Sequence, residues 1–433
     1  MKLKARPMPD IEDHPLRYAM ANELHARPFP VVQAPARAAY LAIKPAQNAA
    51  GRDRGADRAH LIALLDRFGA AHPQPAATHY SGQIGKHLLK WESHTEFVTF
   101  TVFGSGVADR PYDAASFAVF PNDWLRQAPG VRITSALIRV ESLTDDAAIE
   151  GKVDDWFVPE SLAISHVLDG ELVIASDFRI DTSGHMRFAV FAGPEAGARR
   201  TGRVVQRLCE IETYKAMSML GLSRARDLAP QMSAIDNRLT ALLAEMCGPV
   251  GEPAALLHSL LTVSAELENI VAQSAFRFGA TGAYETIVNQ RIAVLRETRF
   301  AGRQTFGEFM MRRFDPAMRT VKSTEARLTA MSDRALRAGD LLRTRVDVER
   351  SAQNRDLLES MDRRSDLQLR LQRTVEGLSV VAISYYAVSL AMYILGPVEY
   401  QLGISKTVMA AIVTPIVLVG VWLMIQRLKK HLE

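Results

Sequence analysis

The pattern of hydrophobic and polar positions changes character along the chain. In the first 195 residues, alternating or β-branched runs predict strands at Ala39 to Ile43, Phe97 to Phe103, Arg132 to Val140, Glu171 to Ser176 and His185 to Phe191. Helices are predicted over His14 to His25, Arg58 to Phe68, Pro121 to Arg126 and Val153 to Phe157. The mixture reads as an α+β head of α/β type over residues 1–195, and AGPEAGARRTG at Ala192 to Gly202 marks its end. From residue 199 to 319, apolar residues recur at three- and four-residue steps, as in VVQRLCEIETYKAMSMLGL and PAALLHSLLTVSAELENIVAQSAFRF. That is the period of amphipathic helices, and it predicts a helical domain. Gly221, Pro249-Val250-Gly251 and the Gly279 to Gly282 stretch are expected to divide it into antiparallel helices.

Residues 320–377 predict a long stalk helix, because no proline occurs between Pro316 and Pro397. Leu357, Met361, Arg364, Leu367, Leu371, Thr374 and Leu378 step by fours and threes along one face. Continued into the next apolar run, the helix covers about 76 residues and roughly 110 Å. Such a rod must pack on other helices, copies of itself being the natural partners. A kink at Gly339 would instead divide it in two.

Two uncharged runs follow, Leu378 to Leu395 and Thr407 to Ile425. Each is roughly 27 to 29 Å long as a helix, close to a hydrocarbon core of about 30 Å. With a short turn over Gly396 to Lys406, residues 378–425 read as a two-span transmembrane hairpin, and 426–433 as a basic tail. Arg363, Arg364, Arg370 and Arg373 precede the first span, and Arg427, Lys429 and Lys430 follow the second. The turn holds one base, Lys406, and one acid, Glu399. This asymmetry places the body and tail in the cytoplasm. The start, MKLKARPMPDIEDHPLRY, has no apolar core of a secretory signal. The expected location is the bacterial inner membrane, with both termini cytoplasmic.

Composition narrows the remaining classes. The 433 residues are 48% hydrophobic and 23% charged, which excludes collagen-like, mucin-like and wholly disordered chains. Mean hydropathy near zero excludes a polytopic membrane protein but admits a short anchor. Lys and Arg total 52 against 48 acidic residues, a surplus of +4 that points to no nucleic-acid partner. Two cysteines, Cys209 and Cys247, are too few for a disulfide framework or a four-thiolate zinc site, and suit a reducing compartment.

Candidate chemistry is sparse. Gly85-Lys86-His87 lacks the rest of a phosphate loop, and Gly104-Ser105-Gly106 lacks the third glycine of a dinucleotide fold. There is no HExxH, EF-hand loop or paired CxxC, so no catalytic set assembles and an enzyme is not expected. If Lys86 to Phe97 is extended, Glu92, His94 and Glu96 share one face, where they could grip a divalent cation. The same parity continues as Val98, Phe100 and Val102, which equally fits the solvated end of a half-buried strand. His14, His25 and Arg27 either make structural contacts or meet a ligand or partner. In the first span Ser379, Tyr386, Ser389 and Tyr393 lie at offsets of 7, 10 and 14, on one side of the helix. Such a stripe faces either neighbouring helices or a water path. Glu376 and Glu399, near the two ends of that span, would form acidic rings if several copies surrounded an axis.

ELHARPFP near residue 30, RRFDPAMRT at Arg312 to Thr320, and the run from Leu341 to Tyr386 resemble a family of bacterial membrane-anchored proteins known as domain-of-unknown-function 3422. The resemblance covers almost the whole chain but implies no activity. In element order (α/β head, packed helices, stalk, two-span hairpin, basic tail) the chain also resembles CorA-type divalent-cation channels. That resemblance implies a homo-oligomer, a pentamer in that family, whose first span lines a cation pore. The family's Gly-Met-Asn signature is replaced here by Gly396-Pro397-Val398-Glu399, where only the glycine matches. The competing expectation is a membrane-anchored scaffold or regulator, whose head binds a partner without transport.

Overall fold

The computed structural model describes residues 11–23, 29–47, 49–75, 77–142, 145–248, 253–402 and 405–432. Nine strands form one sheet: β1 (Ala36–Lys44), β2 (His79–Ile84), β3 (His87–Ser93), β4 (Val98–Ser105), β5 (Val131–Ser142), β6 (Ala163–Val167), β7 (Leu172–Ser176), β8 (Met186–Ala192) and β9 (Thr298–Arg299). Their order is β2-β3-β4-β1-β5-β8-β7-β6-β9. Neighbours are antiparallel except β5 and β8, which run parallel. The five strands expected from sequence are β1, β4, β5, β7 and β8, with ends shifted by a few residues.

The short helices α1 (Arg17–Glu23), α2 (Arg54–Arg67), α3 (Asn122–Arg126) and α4 (Asp146–Trp156) flank the strands in sequence. Alternation along β1, β3 and β4 sorts the side chains onto two faces. Leu41, Trp91 and Phe100 turn towards Leu61 and Leu64 of α2 and Trp124 of α3, forming an apolar core. The opposite parity, including Tyr40, Lys90, Glu92, Thr99 and Thr101, meets α5 (Ala198–Cys247). There Lys90 Nζ donates to Gln206 Oε1 at 2.7 Å, and Tyr40 and Thr213 share a hydroxyl contact. A second core joins Ile149, Val153 and Trp156 of α4 to Val173, Phe191 and Phe300.

The helical region corrects the breaks expected at Gly221 and over Gly279 to Gly282, while Pro249-Val250-Gly251 lies outside the described residues. α5 runs through Gly221 and Pro230, and α6 (Pro253–Ala293) runs through Gly279 and Gly282. Gly221 is where α5 meets α6. A Cβ there would fall 2.8 Å from Thr281 Cγ2 and closer still to its Oγ1. The missing side chain therefore serves close helix packing rather than helix termination. Gly221→Ala should destabilise the fold by about 1–3 kcal/mol through overpacking. Adding Thr281→Ala should restore only part of the loss, since the Cβ of residue 281 stays 2.9 Å away, and Thr281→Gly should relieve the contact fully. Urea denaturation of these variants checks this, and an unchanged midpoint for the single variant would contradict it.

By compactness the chain divides into Met1–Cys247 with Ser259–Arg337, and Gly248–His258 with Ala338–Glu433. The first unit holds the sheet, all of α5, most of α6, α7 (Phe306–Arg313) and the start of α8 (Asp315–Leu402). A Thr305–Glu308 capping box opens α7. Within this unit Met318, Val321, Leu328 and Met331 of α8 are buried. Asp236 of α5 pairs with Arg327 and Arg334 of α8, and Lys322 of α8 lies 2.8 Å from Glu285 of α6.

The second unit contains the rest of α8 and α9 (Lys406–Leu432). α8 is one helix through Gly339 and Gly377, so neither glycine ends it. It also continues past Gly396 and Pro397 to Leu402, so most of the turn expected over Gly396 to Lys406 is helical. Pro397 forfeits one backbone bond without ending the helix.

Candidate functional site

α8 and α9 each contain a stretch long and apolar enough to cross a membrane. At about 100° per residue, Ser379, Tyr386, Ser389 and Tyr393 occupy one side of α8. Tyr386 is 71% exposed and Tyr393 86%. Ser384 sits on nearly the opposite side, about 140° from Ser379. It is buried, as are Val413 and Val421 of α9. The covered side of the first span is therefore the side of Ser384, and the polar stripe faces away from it. Ser384 Oγ is buried without a hydrogen-bond partner. Ser389 Oγ donates to the Tyr385 carbonyl at 2.9 Å, and the Tyr385 and Tyr386 rings meet edge to face.

The same side of α8 carries the stalk stripe. Leu357, Met361, Leu367, Leu371 and Leu378 are each more than half exposed, and they fall on the half of the helix that also bears the four hydroxyls. One helical half thus carries leucines, interrupted by Arg364 and Thr374, outside the membrane-length stretch and hydroxyls inside it. Glu376, which accepts from Gln372 Nε2 at 3.3 Å, lies roughly 100° around the helix from the middle of the stripe. Glu399 lies near the end of α8.

In the head, Glu92, His94 and Glu96 do not form the row that an extended Lys86 to Phe97 would give. β3 ends at Ser93 and β4 begins at Val98. Arg52, almost wholly buried, holds the intervening turn. Its guanidinium donates to the carbonyls of His94 (2.6 Å), Thr95 and Phe97 (3.1 Å), and its Nε pairs with Asp57 at 2.6 Å. The three side chains consequently part. Glu92 stays on the polar face, 3.3 Å from Lys90 Nζ, and His94 stacks on Phe97. Glu96 is buried against α6, where it pairs with Arg277 and accepts from Tyr284 Oη at 2.9 Å. Burial and this carboxylate push the Tyr284 phenol above its ordinary range. Among the described residues no group of three or more His, Cys, Asp or Glu is placed to hold a metal ion.

His25 and Arg27 lie outside the described residues. His14 is exposed and accepts from the Leu16 amide. Cys209 is buried, and burial pushes its thiol well up, leaving it unreactive. Sequence reasoning missed a cavity of about 350 Å³ beside β6 and β7. Its lining is scattered from Asp146 to Glu195, so no local motif announces it.

The architecture is that of an α+β protein with a nine-stranded sheet, a long helical region and two C-terminal apolar helices of membrane-crossing length. The family model described as "Protein of unknown function (DUF3422)" matches residues 12–432, and the chain belongs to that family. No curated protein and no solved structure matches the chain.

Proposed function

We propose that this chain is a homo-oligomeric inner-membrane protein that passes a cation along the Ser379–Tyr393 face of α8, with both termini in the cytoplasm. The supporting observation is the shared half of α8: exposed leucines in the stalk, exposed Tyr386 and Tyr393 in the span, and the covered side of the hairpin opposite. Each half of that face is mismatched to its surroundings, apolar where water would bathe it and polar where lipid would. Copies arranged about an axis relieve both mismatches at once, burying the leucines between stalks and gathering the hydroxyls around a path. The bases flanking the spans support the cytoplasmic placement. The CorA-like element order supports cation passage, while the absent Gly-Met-Asn signature argues for a selectivity other than that family's.

Flux of K⁺ and Mg²⁺ into liposomes reconstituted with the full chain tests this. Tyr386→Leu with Ser389→Leu should lower flux about tenfold or more, equivalent to roughly 1.4 kcal/mol in the barrier. Ser384→Ala, on the covered side, should leave flux near wild type. No wild-type flux of either ion, in an intact oligomer, would sink the transport reading and favour the membrane-anchored scaffold.

A further inference from the structure

A small cavity within the sheet-bearing unit plays no part in the membrane reading. It is lined by β1, β5 and the loop between β4 and α3. Arg37 of β1 and Arg139 of β5 both line it, and the strand register sets them directly opposite each other. Like charges opposed across neighbouring strands are unfavourable by themselves. No acidic side chain lines the cavity to offset them. Arg37 donates through Nη1 to the carbonyls of Ser105 at 3.2 Å and Gly106 at 3.1 Å, and it meets no carboxylate among the described residues. Arg139 shares the single carboxylate of Glu141 with Lys152, so that group also keeps a positive surplus. Gly104 of β4, which has no side chain, lies between Arg37 and His87 of β3. Burial first, then Arg37 and Lys86, hold the His87 imidazole below its ordinary range, as a locally positive field requires.

Tyr112 supplies an independent observation. It lines the same cavity, and its hydroxyl oxygen is buried with no hydrogen-bond partner. Burial pushes the phenol up, so it keeps a proton to donate. A buried hydroxyl left unpaired is costly, and the fold offers it nothing. Nη2 of Arg139, and Nε and Nη2 of Arg37, are likewise unused by the described residues. An anion accepts from the hydroxyl and from both guanidiniums, and it turns their mutual repulsion into charge-assisted contacts. The cavity holds about 20 Å³, and a water molecule needs roughly 10–15 Å³. It therefore has room for one atom-sized occupant rather than for a polyatomic ligand. A water there would satisfy the hydroxyl but leave the two charges opposed. We propose that this cavity binds a single halide-sized anion between Arg37, Arg139 and the Tyr112 hydroxyl.

Thermal melting of the detergent-solubilised full chain tests the proposal, with chloride replacing gluconate at constant ionic strength. Gluconate is too large for the cavity. The melting temperature should rise with chloride and saturate, as for any ligand that binds only the folded state. Bromide should act in the same way. Tyr112→Phe removes a hydroxyl that bonds to nothing in the protein, so in gluconate this variant should melt no lower than wild type. Its chloride midpoint should lie about tenfold or more higher. Arg37→Gln should move the midpoint in the same direction. A wild-type rise that does not saturate, or an unchanged midpoint in both variants, would overturn the proposal. A Tyr112→Phe deficit of equal size in gluconate and chloride would do so too, because water would then already satisfy the hydroxyl.

Discussion

Glu96→Ala should destabilise the head by about 3–5 kcal/mol, the usual consequence of removing one partner from a buried ion pair. Glu96 is 1% exposed, and it takes both the Arg277 guanidinium and the Tyr284 hydroxyl. Lys44 stands nearby, its pKa lowered by burial and by Arg277, with Glu96 opposing that shift. Removing the carboxylate therefore leaves two cations and a phenol facing one another with no anion. The same change frees the β3–β4 turn from α6. Glu96→Gln, which keeps the shape and one acceptor, should cost less, and Glu96→Ala with Arg277→Leu should recover part of the loss. Urea denaturation of the three variants reads the result. A cost below about 1 kcal/mol for the alanine variant would mean that the pair is as weak as an exposed one.

Acidification should remove stability through His60, by ~3 kcal/mol between neutral pH and pH about 4. The imidazole is buried, stacks on Trp124 at 3.9 Å between centroids, and its Nε2 has no hydrogen-bond partner. Burial, aided by Arg67, lowers its pKa from 6.5 to about 4. The folded state thus holds the ring neutral where the unfolded chain would protonate it. The contribution is complete above pH about 6.5 and is lost progressively as pH falls towards 4. His60→Gln cannot titrate, so its loss of stability on acidification should be smaller than that of the wild type by this amount. Comparing denaturation midpoints of both proteins at pH 7 and 4.5 isolates the His60 share from all other groups. Equal losses in the two proteins would contradict it.

What was legible in the sequence follows from the range of the forces involved. β1, β4, β5, β7 and β8 could be read because β-branched and aromatic residues recur in them, several in alternation. β2 escaped notice because Ser81, Gly82 and Gln83 give the edge strand little apolar pattern. β9 is two residues long and joins the sheet from between helices, far down the chain. Gly221 looked like a local break, but packing against α6 makes it a contact point within one helix. The polar stripe was readable because helical geometry alone places its four residues on one side. Glu92, His94 and Glu96 could not be placed correctly, because the turn that separates them is held by Arg52, some forty residues away in sequence.

The central claim is that the uncovered face of α8 is satisfied by further copies of the chain. Native mass spectrometry of the full-length protein in nanodiscs, corrected for bound lipid, tests it most directly. The prediction is a closed ring of about five chains. The charged variants Leu367→Asp and Leu371→Asp should shift it towards smaller species. A wild-type monomer would contradict the account, because two spans from one chain cannot enclose a path and the exposed leucines and hydroxyls would need another partner.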